Sequence, residues 1–153
     1  MRRTSLVTVV VAGSLALSGT AGAEIATFSE ATRGTLHVLS SVLLSNKSVD
    51  MRGGWFNTSL SCTTSRRLRV VARIFRSTSN RSDGFGSVKE GAVMNCAEGG
   101  PNFGFTFSAA AAGMDCPDGS WKPGRYDFVT KTRHIRSDLV STATLGWANR
   151  ERC

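Results

Sequence analysis

The chain has 153 residues, with 19 Lys and Arg against 11 Asp and Glu and a formal charge of +8 at pH 7. That length suits one domain with a real core and leaves little room for a second. The four cysteines, Cys62, Cys96, Cys116 and Cys153, show no CxxC and no HxxxH accompanies them, which argues against zinc.

The N-terminus reads as an export signal spanning 1–23. Arg2 and Arg3 form a basic leader, Leu6 to Leu17 form an apolar run, and Ala21-Gly22-Ala23 is a small-x-small cleavage site before Glu24. The apolar run is too short to span a bilayer, which takes about 20 residues, and no second apolar span follows. The mature protein is therefore expected outside the cell with no stable membrane span. Removing 23 residues leaves 130. The two arginines leave with them, so +8 becomes +6. The remaining positive charge is mostly arginine, with lysine at only Lys47, Lys89, Lys122 and Lys131. Such a balance suits anionic partners such as nucleic acid, teichoic-acid-like polymers or lipid headgroups; it also simply keeps a protein soluble.

An even number of cysteines in an exported domain implies two disulfides, with three connectivities open. The favoured pairs are Cys62–Cys96, each ending an alternating apolar run, and Cys116–Cys153, tying a Gly/Pro/Asp loop to the last residue.

Along the chain, 24–34 is polar and reads as a flexible arm before a single domain over 35–153. Leu36, Val38, Val42 and Leu44 alternate as a strand, although Leu39 and Leu43 also suit one helical row. Gly53-Gly54 suggests a bulge or a close backbone approach. Phe56, Thr58, Leu60 and Cys62 alternate next, which puts Trp55 with Asn57 on the outward side. Leu68, Val70, Ala72 and Ile74 make an inward face, with Arg67, Arg69, Arg73 and Phe75 in the outward row. Residues 77–86 read as a polar loop, and Ala92, Met94 and Cys96 as a strand starting near Ser87. Phe103, Phe105 and Phe107 are expected in the core with Phe56, Leu60 and Ile74. Tyr126, Phe128, Thr130 and Thr132, then Leu139, Ala143, Leu145 and Trp147, supply the last two strands. About seven short strands with Gly/Pro turns predict an all-β, immunoglobulin-like sandwich, with a small barrel as the alternative.

The order Ser59-Leu60-Ser61-Cys62, then Asn95-Cys96, then Trp121-Lys122-Pro123-Gly124-Arg125-Tyr126 resembles small exported immunoglobulin-like domains of actinobacteria. The resemblance covers roughly Thr35 to Trp147 and implies fold more than activity. The chain departs from it at Cys116 and Cys153, and no tryptophan stands between Cys62 and Cys96 to pin an antibody-type core.

Catalytic signals are sparse. His37 and His134 are the only histidines; neither lies near a G-x-S-x-G elbow, an H-E-x-x-H or a P-loop. A small hydrolase would need one of them, with Glu90 or Glu98, for acid–base work. Asp115 and Asp118 flank Cys116 and offer carboxylates to calcium, though not at EF-hand spacing. The loop 113–121, pinned by Cys116, would suit an inhibitor or toxin-like factor. Arginine is the strongest surface signal: Arg66, Arg67, Arg69, Arg73 and Arg76 crowd one stretch beside Phe75. Basic side chains with an aromatic suit an anionic polymer, and the same charges also guard a sheet against aggregation. Trp121, before the Pro-Gly turn, is either a binding aromatic or a cap on the sandwich. The expected role is a non-enzymatic binding module, with Arg67, Arg69, Arg73 and Phe75 as ligand face. Its partner is an anionic envelope polymer or another secreted protein, and it takes no cofactor or metal.

Mass spectrometry of exported protein should find Glu24 at the N-terminus. A chain that keeps Leu6 to Leu17 would mean the segment is an anchor.

Overall fold

The structure is a computed structural model that describes residues 9–16, 24–59, 66–78, 81–93 and 103–153. Period-two patterning dominates, and the described residues are strands and turns with no helix. Nine strands form: β1 (Val9–Ala16), β2 (Ile25–Arg33), β3 (Leu36–Leu44), β4 (Ser48–Asn57), β5 (Arg66–Thr78), β6 (Arg81–Val93), β7 (Phe103–Ser108), β8 (Gly124–His134) and β9 (Leu139–Asn149). They make two antiparallel sheets, ordered β1-β2-β3-β4-β7 and β6-β5-β8-β9. The sheets pack face to face, with β2 over β9, β3 over β8 and β9, and β4 over β8 and β5.

All-β architecture in two sheets therefore stands, with nine described strands rather than seven. The strand order also differs from the immunoglobulin arrangement, which sets A-B-E-D against C-F-G. Here four consecutive strands share one sheet.

Two apolar clusters fill the space between the sheets. The larger surrounds Trp121, Tyr126 and Phe128, with Val42, Met51 and Ile74 packed against them. Trp121 meets Phe128 edge-on at 5.3 Å between centroids, and Tyr126 stacks on Phe128 at 5.6 Å. The polar atoms of these rings are satisfied: Trp121 Nε1 donates to the Ser45 carbonyl at 3.1 Å and Tyr126 Oη to the Lys122 carbonyl at 2.7 Å. The smaller cluster holds Trp55, Val38, Leu36, Leu68 and Leu139.

A row of small polar residues separates the clusters. Ser29, Ser40 and Gly53 are register partners across the first sheet, and Val70, Thr132 and Ser141 across the second. Ser40 Oγ lies 2.8 Å from Thr132 Oγ1 and 2.9 Å from the Ser141 carbonyl oxygen. Ser40 Oγ is the donor toward both oxygens, which share its one proton. Ser141 Oγ in turn donates to the Ser29 carbonyl at 2.9 Å. Gly53 makes this approach possible: a Cβ there would sit 2.1 Å from Thr132 Oγ1. The close backbone approach read from Gly53-Gly54 is real, and β4 runs through both glycines.

Several expectations change. Residues 24–34 are no arm, because β2 pairs with β3 at nine positions. Small polar residues such as Thr27 and Ser29 hold its inward row, so no apolar alternation shows. β4 is phased one residue from expectation. It starts at Ser48, so Val49, Met51 and Trp55 are buried while half-buried Phe56 faces outward against His37. The expected loop at 77–86 is instead a hairpin between β5 and β6. Phe103, Phe105 and Phe107 do face inward, Phe107 buried and the other two half-buried at the sheet edge.

Cys116 and Cys153 form a disulfide, Cα–Cα 5.2 Å, as the sequence reading favoured. Cys62, Cys96, Leu60 and Met94 lie outside the described residues. No helix among the described residues is long and apolar enough to cross a membrane.

Gly53→Ala should destabilise by about 1–3 kcal/mol or more, since the core cannot absorb a methyl there. Gly146→Ala, whose Cβ would meet only Asp127 Oδ1 at 3.5 Å, should be near neutral, and urea unfolding compares the two. Tyr126 is the sole tyrosine. Burial raises its pKa above the ordinary phenol value, against the lowering influence of Arg76. The folded chain thus keeps a proton that the unfolded chain loses from about pH 10. Tyrosinate absorbance should appear later in the folded protein than in urea, and stability should fall as pH rises through that window.

Candidate anion-binding face

The outer face of the β6-β5-β8-β9 sheet is built by alternation. Leu68, Val70, Ala72 and Ile74 are fully buried on β5, so Arg67, Arg69, Val71, Arg73 and Phe75 point outward. The four expected residues, Arg67, Arg69, Arg73 and Phe75, are all exposed, Phe75 at 37%. β8 is phased in the same way by buried Tyr126, Phe128, Thr130 and Thr132, which sends Arg125, Asp127, Val129, Lys131 and Arg133 to the same surface. Register then sets Arg69 directly opposite Arg133, Val71 opposite Lys131 and Phe75 opposite Asp127.

Sequence reading missed the β8 half of this face. Lys131 and Arg133 alternate with Thr130 and Thr132, whose hydroxyls made the inward row look polar too. The signal was Tyr126 and Phe128, which set the phase four residues earlier.

The charge on the face is unbalanced. Arg67, Arg69, Arg73, Arg125, Lys131 and Arg133 stand against Glu90 and Asp127. Arg133 Nε pairs with Asp138 Oδ1 at 2.6 Å; Asp138 is in the following turn, where φ is 61°. Among the described residues, Arg67, Arg69, Arg73, Arg125 and Lys131 form no salt bridge. Like charges directly opposite on neighbouring strands are destabilising, and Arg69 facing Arg133 is such a pair. Arg76 is different: it donates to the Pro123 carbonyl at 2.7 and 3.2 Å and is 3.8 Å from Asp83, so it braces the fold. The side chain of Arg66 lies outside the described residues.

Beside the cations the surface is hollow. β6 places Gly84 opposite Phe75 and Gly86 opposite Arg73. The missing side chains leave an open cleft of about 560 Å³ lined by Val71, Arg73, Phe75, Gly84, Gly86 and Val88. Val88 is 50% exposed. A Cβ at Gly86 would come within 2.9 Å of the Ala72 carbonyl and 3.3 Å of Arg73 Cγ, so the glycine lets the Arg73 stem lie against the sheet. The face combines cations, an exposed ring and an apolar floor.

The other candidates are scattered. His37 is on the outer face of the opposite sheet, its Nδ1 against Glu30 Oε1 and its ring stacked on Phe56 at 4.3 Å between centroids. His134 is fully buried between the sheets, with Nδ1 2.7 Å from Ser137 Oγ and its ring edge-on to Trp55 at 5.3 Å. The histidines share no cleft. Glu90 is on exposed β6, and Glu98 lies outside the described residues. The 113–121 loop packs down on the sandwich, with Met114, Cys116 and Trp121 buried. Trp55 and Trp121 are thus both core residues. Asp118 Oδ1 accepts from the Ser120 amide at 2.9 Å and hydroxyl at 2.6 Å. These bonds hold its carboxyl below the usual range. No group of three His, Cys, Asp or Glu among the described residues is placed to hold a metal.

No family model, curated protein or solved structure matches this chain.

Proposed function

We propose that the protein is an exported, non-enzymatic binding module whose β5–β8 face takes an anionic polymer with regularly repeated phosphate groups. The observation that carries this reading is Arg69 set opposite Arg133, with Arg67, Arg73 and Lys131 around them and no salt bridge to Arg67, Arg69, Arg73 or Lys131 among the described residues. Asp138 holds Arg133, and Glu90 stands opposite Arg69 on β6, so the cations of Arg67, Arg73 and Lys131 gain most from an anion. Same-face residues recur about every 6–7 Å along a strand, and strands lie about 4.8 Å apart. That grid suits serial phosphates, each held by guanidinium groups in bidentate fashion. Phe75 and the glycine-floored cleft beside Arg73 supply a stacking surface for a base, sugar or polyol unit between phosphates.

Titration of a labelled single-stranded oligonucleotide and of a teichoic acid at low and moderate salt tests this reading. Affinity should fall steeply with salt, because each neutralised phosphate releases counterions. Replacing Arg67, Arg69 and Arg73 together by Ser should weaken binding at least tenfold and flatten the salt slope. The fold should survive, since surface changes usually cost under about 0.5 kcal/mol each. Absent binding, or equal and salt-insensitive binding by both proteins, would reduce the face to a solubility feature.

A further inference from the structure

β1 (Val9–Ala16) falls within the segment read as an export signal, yet it pairs antiparallel with β2 from Ile25 to Ala31. It is a fifth strand over a four-stranded sheet. β9 lies beneath β2, and β1 makes extended contact with β2 alone. One ladder holds it. Removing residues 1–23 would therefore expose the outer edge of β2 while leaving the rest of the sandwich in place. Over its nine residues β2 has no proline and no bulge in its ladder with β3, two of the usual defences of an edge strand, and its charged side chains are Glu30 and Arg33, one of each sign. Phe28 on it is 53% exposed, the most exposed large apolar side chain among the described residues.

We infer that this edge takes a second copy of the chain, β2 pairing antiparallel with the partner's β2 about a two-fold axis at Ser29. The inference rests on the export part of the proposed function and is independent of the anion-binding face. An antiparallel ladder of one strand with itself is the arrangement two-fold symmetry requires, and antiparallel is the sense in which β2 already accepts β1. Centring on Ser29 pairs all nine residues. It keeps each outward side chain opposite an outward one: Phe28 faces the partner's Glu30, and Ala26 faces the partner's Thr32. The same rotation brings the partner's β9 toward β9, because each β9 lies under its own β2. The second sheet then meets its copy as well. The basic β5–β8 surface stays clear, since β9 rather than β5 borders this side of the sandwich.

The test expresses the full chain, recovers the exported protein, measures its N-terminal mass and follows its assembly by sedimentation equilibrium. We expect a chain starting at Glu24 that sediments as a dimer. Phe28→Glu sets a carboxylate against the partner's Glu30 twice per dimer and should weaken association at least tenfold. Phe28→Lys sets a cation there and should leave the dimer in place; unchanged circular dichroism in both variants confirms the fold. A cleaved wild-type chain that stays monomeric overturns the pairing while leaving export standing. An uncleaved chain overturns both, because β1 keeps the edge filled. Dimers equally strong with Glu and Lys at position 28 would overturn the Ser29-centred pairing.

Discussion

The contact on which the structure turns is Gly53 against Thr132. A missing Cβ on β4 lets a β8 hydroxyl come within reach of Ser40, and Ser40 ties β3 to both β8 and β9. Buried hydroxyls without partners would be costly; here Ser40 donates to Thr132 Oγ1 and the Ser141 carbonyl, and Ser141 Oγ donates to the Ser29 carbonyl. The two apolar clusters on either side supply most of the burial. A buried hydrophobic face already forbids a one-residue slip, which would put every side chain of a strand on the wrong face. A two-residue slip keeps the faces, and the hydrogen-bonded row is what it would break.

The basic surface follows from that row. Thr132 pointing inward forces Lys131 and Arg133 outward, and the β5–β8 register then fixes Arg69 opposite Arg133. The row also ends in charge: Phe103, the register partner of Gly53, lies under Lys89 at 5.0 Å. At the other end of the molecule the Cys116–Cys153 bridge ties the C-terminal residue to the loop that carries Trp121. Asn149 donates to the Trp121 carbonyl at 2.6 Å beside it. The bridge closes β8 and β9 into a loop with a separation of 37 residues. This constrains the unfolded chain by about 4 kcal/mol in the chain-entropy model, and it acts on the strands that carry half of the basic face.

Alternation of large apolar residues was readable wherever it was unbroken. Leu68 to Ile74 placed Arg67, Arg69, Arg73 and Phe75 outward, and Tyr126 and Phe128 placed β8. Where small polar residues take the inward row, the pattern disappears. Thr27 and Ser29 made β2 look like an arm, and Leu39 with Leu43, four residues apart, left a helix open for β3. Gly53 and Gly54 misled differently: the pair looked like the start of a strand, so Phe56 rather than Trp55 seemed to face the core. Val49 and Met51, ahead of the glycines, carried the true phase. The hairpin at 77–86 was hidden because Gly84 and Gly86 leave gaps in the outward row, and those gaps form the cleft beside Arg73. The polar row and the β8 half of the basic face needed the register between strands, which a single chain of letters does not display.

Amide chemical-shift mapping by NMR, with a short phosphodiester oligomer added at low salt, tests most directly whether this register builds a ligand face. Perturbations should follow one surface, from Arg67 to Phe75 on β5 and from Val129 to Arg133 on β8, with Gly84 and Gly86 at its border. The outer face around His37 and Phe56 should stay silent. Shifts centred on His37 and Phe56, or spread evenly over both sheets, would contradict a binding site on the β5–β8 face.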